Sequence, residues 1–157
     1  MNPEVECSQR LARLQEKLSS MPPVAAMQIR VHGFERGELQ LMAPLSHNVN
    51  DKGSAFGGSL AGLMTLACWG SASLALARAG FEAAEVYVQD SQVRYLAPLY
   101  DDLMAAGRLL DGFSWDDFVR AFRERGKARV TLCAEVRCAD GRVAASFEGR
   151  FVALRPG

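Results

Sequence analysis

The sequence has no net charge: 18 lysines and arginines offset 18 aspartates and glutamates over 157 residues. No overall field therefore draws the chain to nucleic acid or to an anionic membrane, and any partner must be met by a local patch. Histidine is scarce, with only His32 and His47, which argues against a histidine-rich metal centre. Cys7, Cys68, Cys133 and Cys138 show no Cys-x-x-Cys spacing and read as free thiols of a reducing compartment, not as a disulfide frame or zinc site. The amino terminus, Met-Asn-Pro-Glu-Val-Glu-Cys, has neither the basic stretch nor the apolar run of a secretory signal, so a cytoplasmic location is expected. Repeats and low-complexity segments are absent. The length suits one domain, residues 1–157, with an N-terminal helix over residues 1–20.

Charge is also missing locally. No charged residue occurs from Ser54 to Ala77, and this stretch reads as a long central helix. It is long enough to span a membrane, but Gly57, Gly58, Gly62, Gly70, Ser59, Thr65, Ser71 and Ser73 are scattered through it and its flanks alternate like soluble strands. A helix apolar on every side is expected to be buried on every side. Gly57 and Gly58 at its first turn leave backbone N–H groups unshielded, where the helix dipole favours an anion or a developing oxyanion. A glycine pair in this place also suits tight packing alone.

In chain order, Leu11, Leu14 and Leu18 lie among charged residues at helical spacing and Met21-Pro22-Pro23 ends that helix. Met27, Ile29 and Val31 alternate with polar residues as a strand, Gly33 to Gly37 turns, and Glu38 to Ala43 returns. Pro44 to Gly53 is a polar loop. After the central helix and an Ala79-Gly80 stop, Ala84 to Ala97 reads as a long strand whose apolar phase flips near Gln89 to Ser91, as across a β-bulge. Asp101 to Leu110 forms a further strand, and Ser114 caps a short helix with Asp116 and Asp117 in its first turn. Lys127 to Cys138 is the cleanest strand, with Ala128, Val130, Leu132, Ala134 and Val136 inward. Asp140-Gly141 turns into a last strand with Val143, Ala145, Phe147, Phe151 and Ala153 inward. The fold class is α+β, an antiparallel sheet wrapped round a long central helix.

Particular segments narrow this pattern. Ala26-Met27-Gln28-Ile29, Asn48-Val49-Asn50, Phe56-Gly57-Gly58-Ser59, Thr65-Leu66, Trp69-Gly70 and Val93-Arg94-Tyr95-Leu96-Ala97-Pro98 resemble the hotdog-fold domain at the carboxyl end of the YiiD protein and its stand-alone relatives. The likeness runs from Met21 to Leu154. It implies a hotdog fold and activity on acyl thioesters: thioester hydrolysis, or decarboxylation of malonyl-acyl-carrier protein to prime fatty acid synthesis. It also implies a homodimer or dimer of dimers with sites at the subunit boundary. No cofactor is implied beyond the coenzyme A or acyl-carrier-protein phosphopantetheine that carries the substrate.

Carried over by that resemblance, Asn50 is the first catalytic candidate, its amide donating to a thioester carbonyl or orienting water, with the Gly58 N–H facing it. From its residue type alone, Asn50 equally suits a loop bonded to its own backbone. Many hotdog thioesterases have a carboxylate seven residues beyond the second glycine; here Thr65 stands there, a poor general base at neutral pH, or simply a core threonine bonded to its helix. Phe56 replaces a histidine often found before the glycines, and reads as pocket wall or, more ordinarily, core. Asn48, Phe56, Gly57, Ser59 and Arg94 complete the candidate substrate-binding set; Arg94 would pair with a carboxylate or phosphate. His47 and Asp51 are the nearest loop candidates for a base. Arg120, Arg123, Arg125, Lys127 and Arg129 form a basic cluster suited to acidic acyl carrier protein or to coenzyme A phosphates, or to plain solvation.

Overall fold

Asn2 starts the first helix: its side chain accepts from the Glu4 N–H at 2.9 Å, and Pro3 takes the first position, where a missing N–H costs nothing. The computed structural model describes residues 2–157. Helix α1 (Pro3–Ser20) buries Leu14 and Leu18 against the rest of the molecule. The Pro22-Pro23 pair ends α1 but also opens a second helix, α2 (Pro22–Met27). The expected strand therefore starts later: Met27 is helical, Gln28 closes the helix in the left-handed region at φ 58°, and β1 is Arg30–Glu35. Proline's fixed φ suits a first helical turn as well as a helix end, and here it serves both.

Strand β2 (Glu38–Ala43) pairs with β1 through a two-residue turn, Arg36 and Gly37, both at positive φ (54° and 79°). This tight hairpin geometry replaces the longer turn expected from Gly33. A 3-10 turn at Leu45–His47 leads through a loop into α3 (Gly57–Arg78). Then follow β3 (Glu85–Tyr95), β4 (Leu103–Leu109), α4 (Trp115–Arg125), β5 (Lys127–Arg137) and β6 (Val143–Leu154). Ser114 caps α4, accepting from the Asp117 N–H at 3.2 Å. The bulge expected in β3 is present: its pairing with β6 shifts register between Val88 and Asp90.

The six strands form one antiparallel sheet in the order β1-β2-β4-β5-β6-β3, curved round α3. Leu63, Met64 and Leu76 of α3 are fully buried against Leu39 and Leu41 of β2, Leu132 of β5 and Phe151 of β6 in a single apolar cluster. Each such side chain contributes about 1.5–3 kcal/mol through burial. Ser71 locks the helix to the sheet: its hydroxyl accepts from the Leu39 N–H at 3.0 Å and points toward the carbonyls of Gly107 at 2.9 Å and Ala67 at 2.8 Å. Gly107 in β4 lies directly on the α3 backbone at Ala67 and Cys68, an approach that any Cβ would block.

The expectation of burial on every side needs correction. Ala61, Gly62, Thr65, Leu66, Trp69, Ser73 and Ala77 are only partly buried and form a seam along α3 at helical spacing, because the sheet covers one side of the helix and α1 and α2 only part of the other. α3 is apolar and long enough to cross a membrane. Its contacts with β2, β4 and β5 make it the core helix of the sheet. β3 is an edge strand, with Tyr87, Val88 and Tyr95 exposed along it and Leu96 just beyond.

Candidate functional site

The loop before α3 is held by its two asparagines. Asn48 is buried (3% exposed), and its amide donates to the carbonyls of Met27 at 2.9 Å and Pro44 at 2.8 Å. Its own carbonyl accepts from the Phe56 N–H at 2.7 Å, which fixes where the helix begins. The side-chain Oδ1 of Asn48 is buried without a hydrogen-bond partner among the described residues. Asn50 ties the outer loop: its Oδ1 accepts from the N–H groups of Lys52 (2.8 Å) and Ser54 (3.1 Å), and its Nδ2 donates to the Ser54 hydroxyl at 2.9 Å. The second Nδ2 proton has only a long contact, 3.5 Å, to the Ala55 carbonyl. Asn50 is thus the loop's own clasp and keeps one weakly used donor.

At the start of α3, Phe56 is the N-cap with extended backbone and no side-chain cap, and the first turn has no acid. The N–H groups of Ser59 and Leu60 both reach the Phe56 carbonyl, at 3.0 and 3.1 Å. Those of Gly57 and Gly58 have no acceptor among the described residues. Two unspent donors at the positive end of a 22-residue helix form a site for negative charge. Phe56 is not core: it is 54% exposed, and its ring lies over Gly58 so closely that a Cβ there would strike it. Tyr95 roofs Gly57, its hydroxyl donating to the Gly57 carbonyl at 3.3 Å.

Thr65 stands two turns further, about 10 Å along the axis from Gly58 at roughly 1.5 Å per residue. Its hydroxyl donates to the Ala61 carbonyl at 2.7 Å, leaving only its lone pairs free to hold water. Ser59 is buried beside the glycines. Arg94 follows the opposite parity to Tyr95 on β3, opposite Ser146 of β6, so strand alternation puts it on the face turned away from the helix start. His47 is exposed beside the Ser46 hydroxyl (3.2 Å), and Asp51 is exposed and paired with Lys52 at 2.9 Å.

The structure therefore gathers Asn50, Phe56, Gly57, Gly58 and Ser59 at one helix end, places Thr65 further along, and leaves Arg94 outside. Tyr95 was missing from the sequence-derived set. The phase flip in β3 was the signal that could have found it, since it puts Val93 and Tyr95 on the helix-facing side. Among the described residues, no three His, Cys, Asp or Glu side chains cluster as metal ligands would. Burial pushes the Cys68 thiol far up, and that of Cys133 in the same direction, which leaves both poor nucleophiles.

A family model described as "Putative thioesterase (yiiD_Cterm)" matches residues 11–155. A protein of unknown function from Chlorobaculum tepidum is similar in structure, with TM-score 0.86 and 28% identity over 95% of this chain and 96% of that one. A protein from Shewanella oneidensis described as a "putative thioesterase" has TM-score 0.81 and 32% identity over 94% of this chain and 99% of its own. Thioesterase HI1161 from Haemophilus influenzae, at 16% identity and TM-score 0.71 over 92% and 90% of the two chains, shares the fold. No curated protein sequence matches.

Proposed function

The chain belongs to the YiiD C-terminal family of hotdog-fold, thioesterase-like proteins, and from that premise we propose that it processes short acyl thioesters, with decarboxylation of malonyl-acyl-carrier protein as its reaction. One observation carries this reading: the helix start offers two unspent N–H donors, while no carboxylate stands anywhere on α3. Decarboxylation needs only the former. The bond between the malonyl α-carbon and its carboxylate breaks, carbon dioxide leaves, and the electron pair moves into the thioester, whose oxygen becomes an enolate. The Gly57 and Gly58 N–H groups and the helix dipole stabilise that oxygen, with the spare Asn50 proton as a third donor. Solvent then returns a proton to the α-carbon, leaving an acetyl thioester. The Phe56 and Tyr95 rings flank the helix start, each more than half exposed, and once substrate covers them they disfavour the departing carboxylate's hydration, which favours its loss.

Hydrolysis to free acid and thiol is the second reading, favoured by the description of the Shewanella oneidensis protein. It requires an activated water, with His47 or Asp51 as the base. A non-catalytic acyl-thioester-binding module is the third. For assembly, we propose that two copies pair across β3, which exposes Tyr87, Val88 and Tyr95 on an unpaired edge. Acyl carrier protein would meet the basic cluster of α4 and β5, where Arg123 lies over the Phe81 ring and Arg120 pairs with Asp117 at 3.1 Å. The location expected for such a protein is the cytoplasm.

The test is incubation with malonyl-acyl-carrier protein, acetyl-coenzyme A and longer acyl-coenzyme A, with intact thioesters and free thiol followed by mass spectrometry. Acetyl thioester without free thiol supports decarboxylation. Free thiol from any substrate replaces it with hydrolysis, and turnover of none leaves the binding module.

A further inference from the structure

At the far end of α3, about 30 Å along the axis from Gly58 at roughly 1.5 Å per residue, two hollows of about 570 Å³ each meet over Phe34, Gly37, Arg78 and Trp115, which line both. Each is within the size range of small-molecule sites. None of their lining residues belongs to β3, and β1 is the opposite edge of the sheet. Pairing of two copies across β3 therefore does not draw on this groove. The groove is cationic: Arg10 and Arg36 line one hollow, Arg120 and Arg123 the other, and Arg78 both, against Glu6 in the first and Asp116 in the second. Arg10 turns to Glu82 at 3.6 Å and Arg120 to Asp117 at 3.1 Å. Arg36, Arg78 and Arg123 form no ion pair among the described residues. Arg78 is not spent on capping its helix, because the carbonyls of Leu76 and Ala77 already accept from the N–H groups of Ala79, Gly80 and Phe81. Its Cζ lies 5.7 Å from the Phe34 ring centre. The Trp115 indole is fixed beside it: Phe118 packs edge-on at 6.0 Å, and Nε1 sits where a Cβ on Gly37 would come within 2.7 Å.

We propose that this groove binds a nucleoside diphosphate. Unpaired guanidinium groups gathered on one concave surface repel one another and focus a positive field. Phosphate oxygens neutralise that field through bidentate N–H···O pairs, the geometry for which a guanidinium is built. Arg36 on the hairpin and Arg78 on α3 face the phosphates from two sides, and the half-buried Trp115 ring between them takes the base by stacking. Arg36 and Arg78 lie outside the α4 and β5 cluster offered to acyl carrier protein. The site stands whichever reaction the helix start performs.

Calorimetric titration of the full chain at constant ionic strength with ADP, adenosine, inorganic pyrophosphate and coenzyme A tests it. ADP is expected to bind saturably, one per chain. Adenosine, without the phosphates, should bind about tenfold more weakly or worse, and pyrophosphate, without the base, about fivefold more weakly or worse. Arg36→Gln and Arg78→Gln are each expected to weaken ADP about fivefold or more with the circular dichroism spectrum unchanged. Arg30→Gln, an exposed β1 arginine outside the groove, should leave the affinity unaltered. No saturable ADP binding to the unaltered protein overturns the proposal, as does undiminished binding in folded Arg36→Gln and Arg78→Gln. Pyrophosphate as tight as ADP would make the groove a bare anion site, and coenzyme A as tight as ADP would make it a seat for the substrate's carrier; either result overturns it as well.

Discussion

Replacing Gly57 by proline removes one of the two unspent N–H donors at the α3 start and almost nothing else. Proline is favoured at a first helical position, where its absent N–H has no intrahelical partner to lose. The residue before it, Phe56, already has the extended backbone that a following proline demands, at φ −65° and ψ 132°. A carbon added at Gly57 comes 3.3 Å from Tyr95 Cε1, and that exposed ring can shift by the few tenths of an ångström required. Stability should therefore change by no more than about 1 kcal/mol, and can rise because the unfolded chain loses freedom. Loss of one oxyanion donor of a pair lowers the rate about 100- to 1000-fold. The assay is carbon dioxide release from malonyl-acyl-carrier protein beside thermal unfolding, with Gly57→Ala, which keeps the N–H, as the steric control. If Gly57→Pro retains its rate within about fivefold while folded, the helix N–H groups do not hold the enolate and the reasoning fails.

Asn50→Asp keeps the acceptor that organises Lys52 and Ser54 but removes the amide donor. It should cost about tenfold or more in rate with little loss of melting temperature, whereas Asn50→Ala should also destabilise by about 1–3 kcal/mol through the loop donors it strands. Gly107→Ala forces a Cβ into the α3 backbone at Cys68 N, 2.6 Å away. Denaturant unfolding should show a loss of about 3 kcal/mol, the upper end of what overpacking usually costs. Iodoacetamide with peptide mapping should label Cys7 and Cys138 in the folded protein and Cys68 only after unfolding, since burial holds the Cys68 thiol protonated.

Much of this fold was legible because the period of its apolar residues changes where the structure changes. The alternation from Ala128 to Val136 marks the inward face of β5, and the flip after Val88 marks the bulge where the pairing with β6 shifts register. The prolines at 22 and 23 misled, because the same fixed φ that ends α1 starts α2. The seam on α3 was invisible, since composition says how apolar a helix is but not how much of it the sheet covers. At the site, residue types point to Gly57, Gly58 and Asn50, but which donors are already spent depends on the folded geometry: Thr65 on the Ala61 carbonyl, most of Asn50 on its own loop. Arg94 and Tyr95 are neighbours in sequence and lie on opposite faces of the sheet, a distinction that depends on the bulge register.

The most direct test is to incubate malonyl-acyl-carrier protein with this protein in deuterated water and weigh the product. An enolate held at the helix start and quenched by solvent predicts an acetyl thioester that has gained one solvent deuteron, with carbon dioxide released and no free thiol. Malonate with free carrier thiol would mean that water attacked the thioester, and would contradict a site built to work without a base.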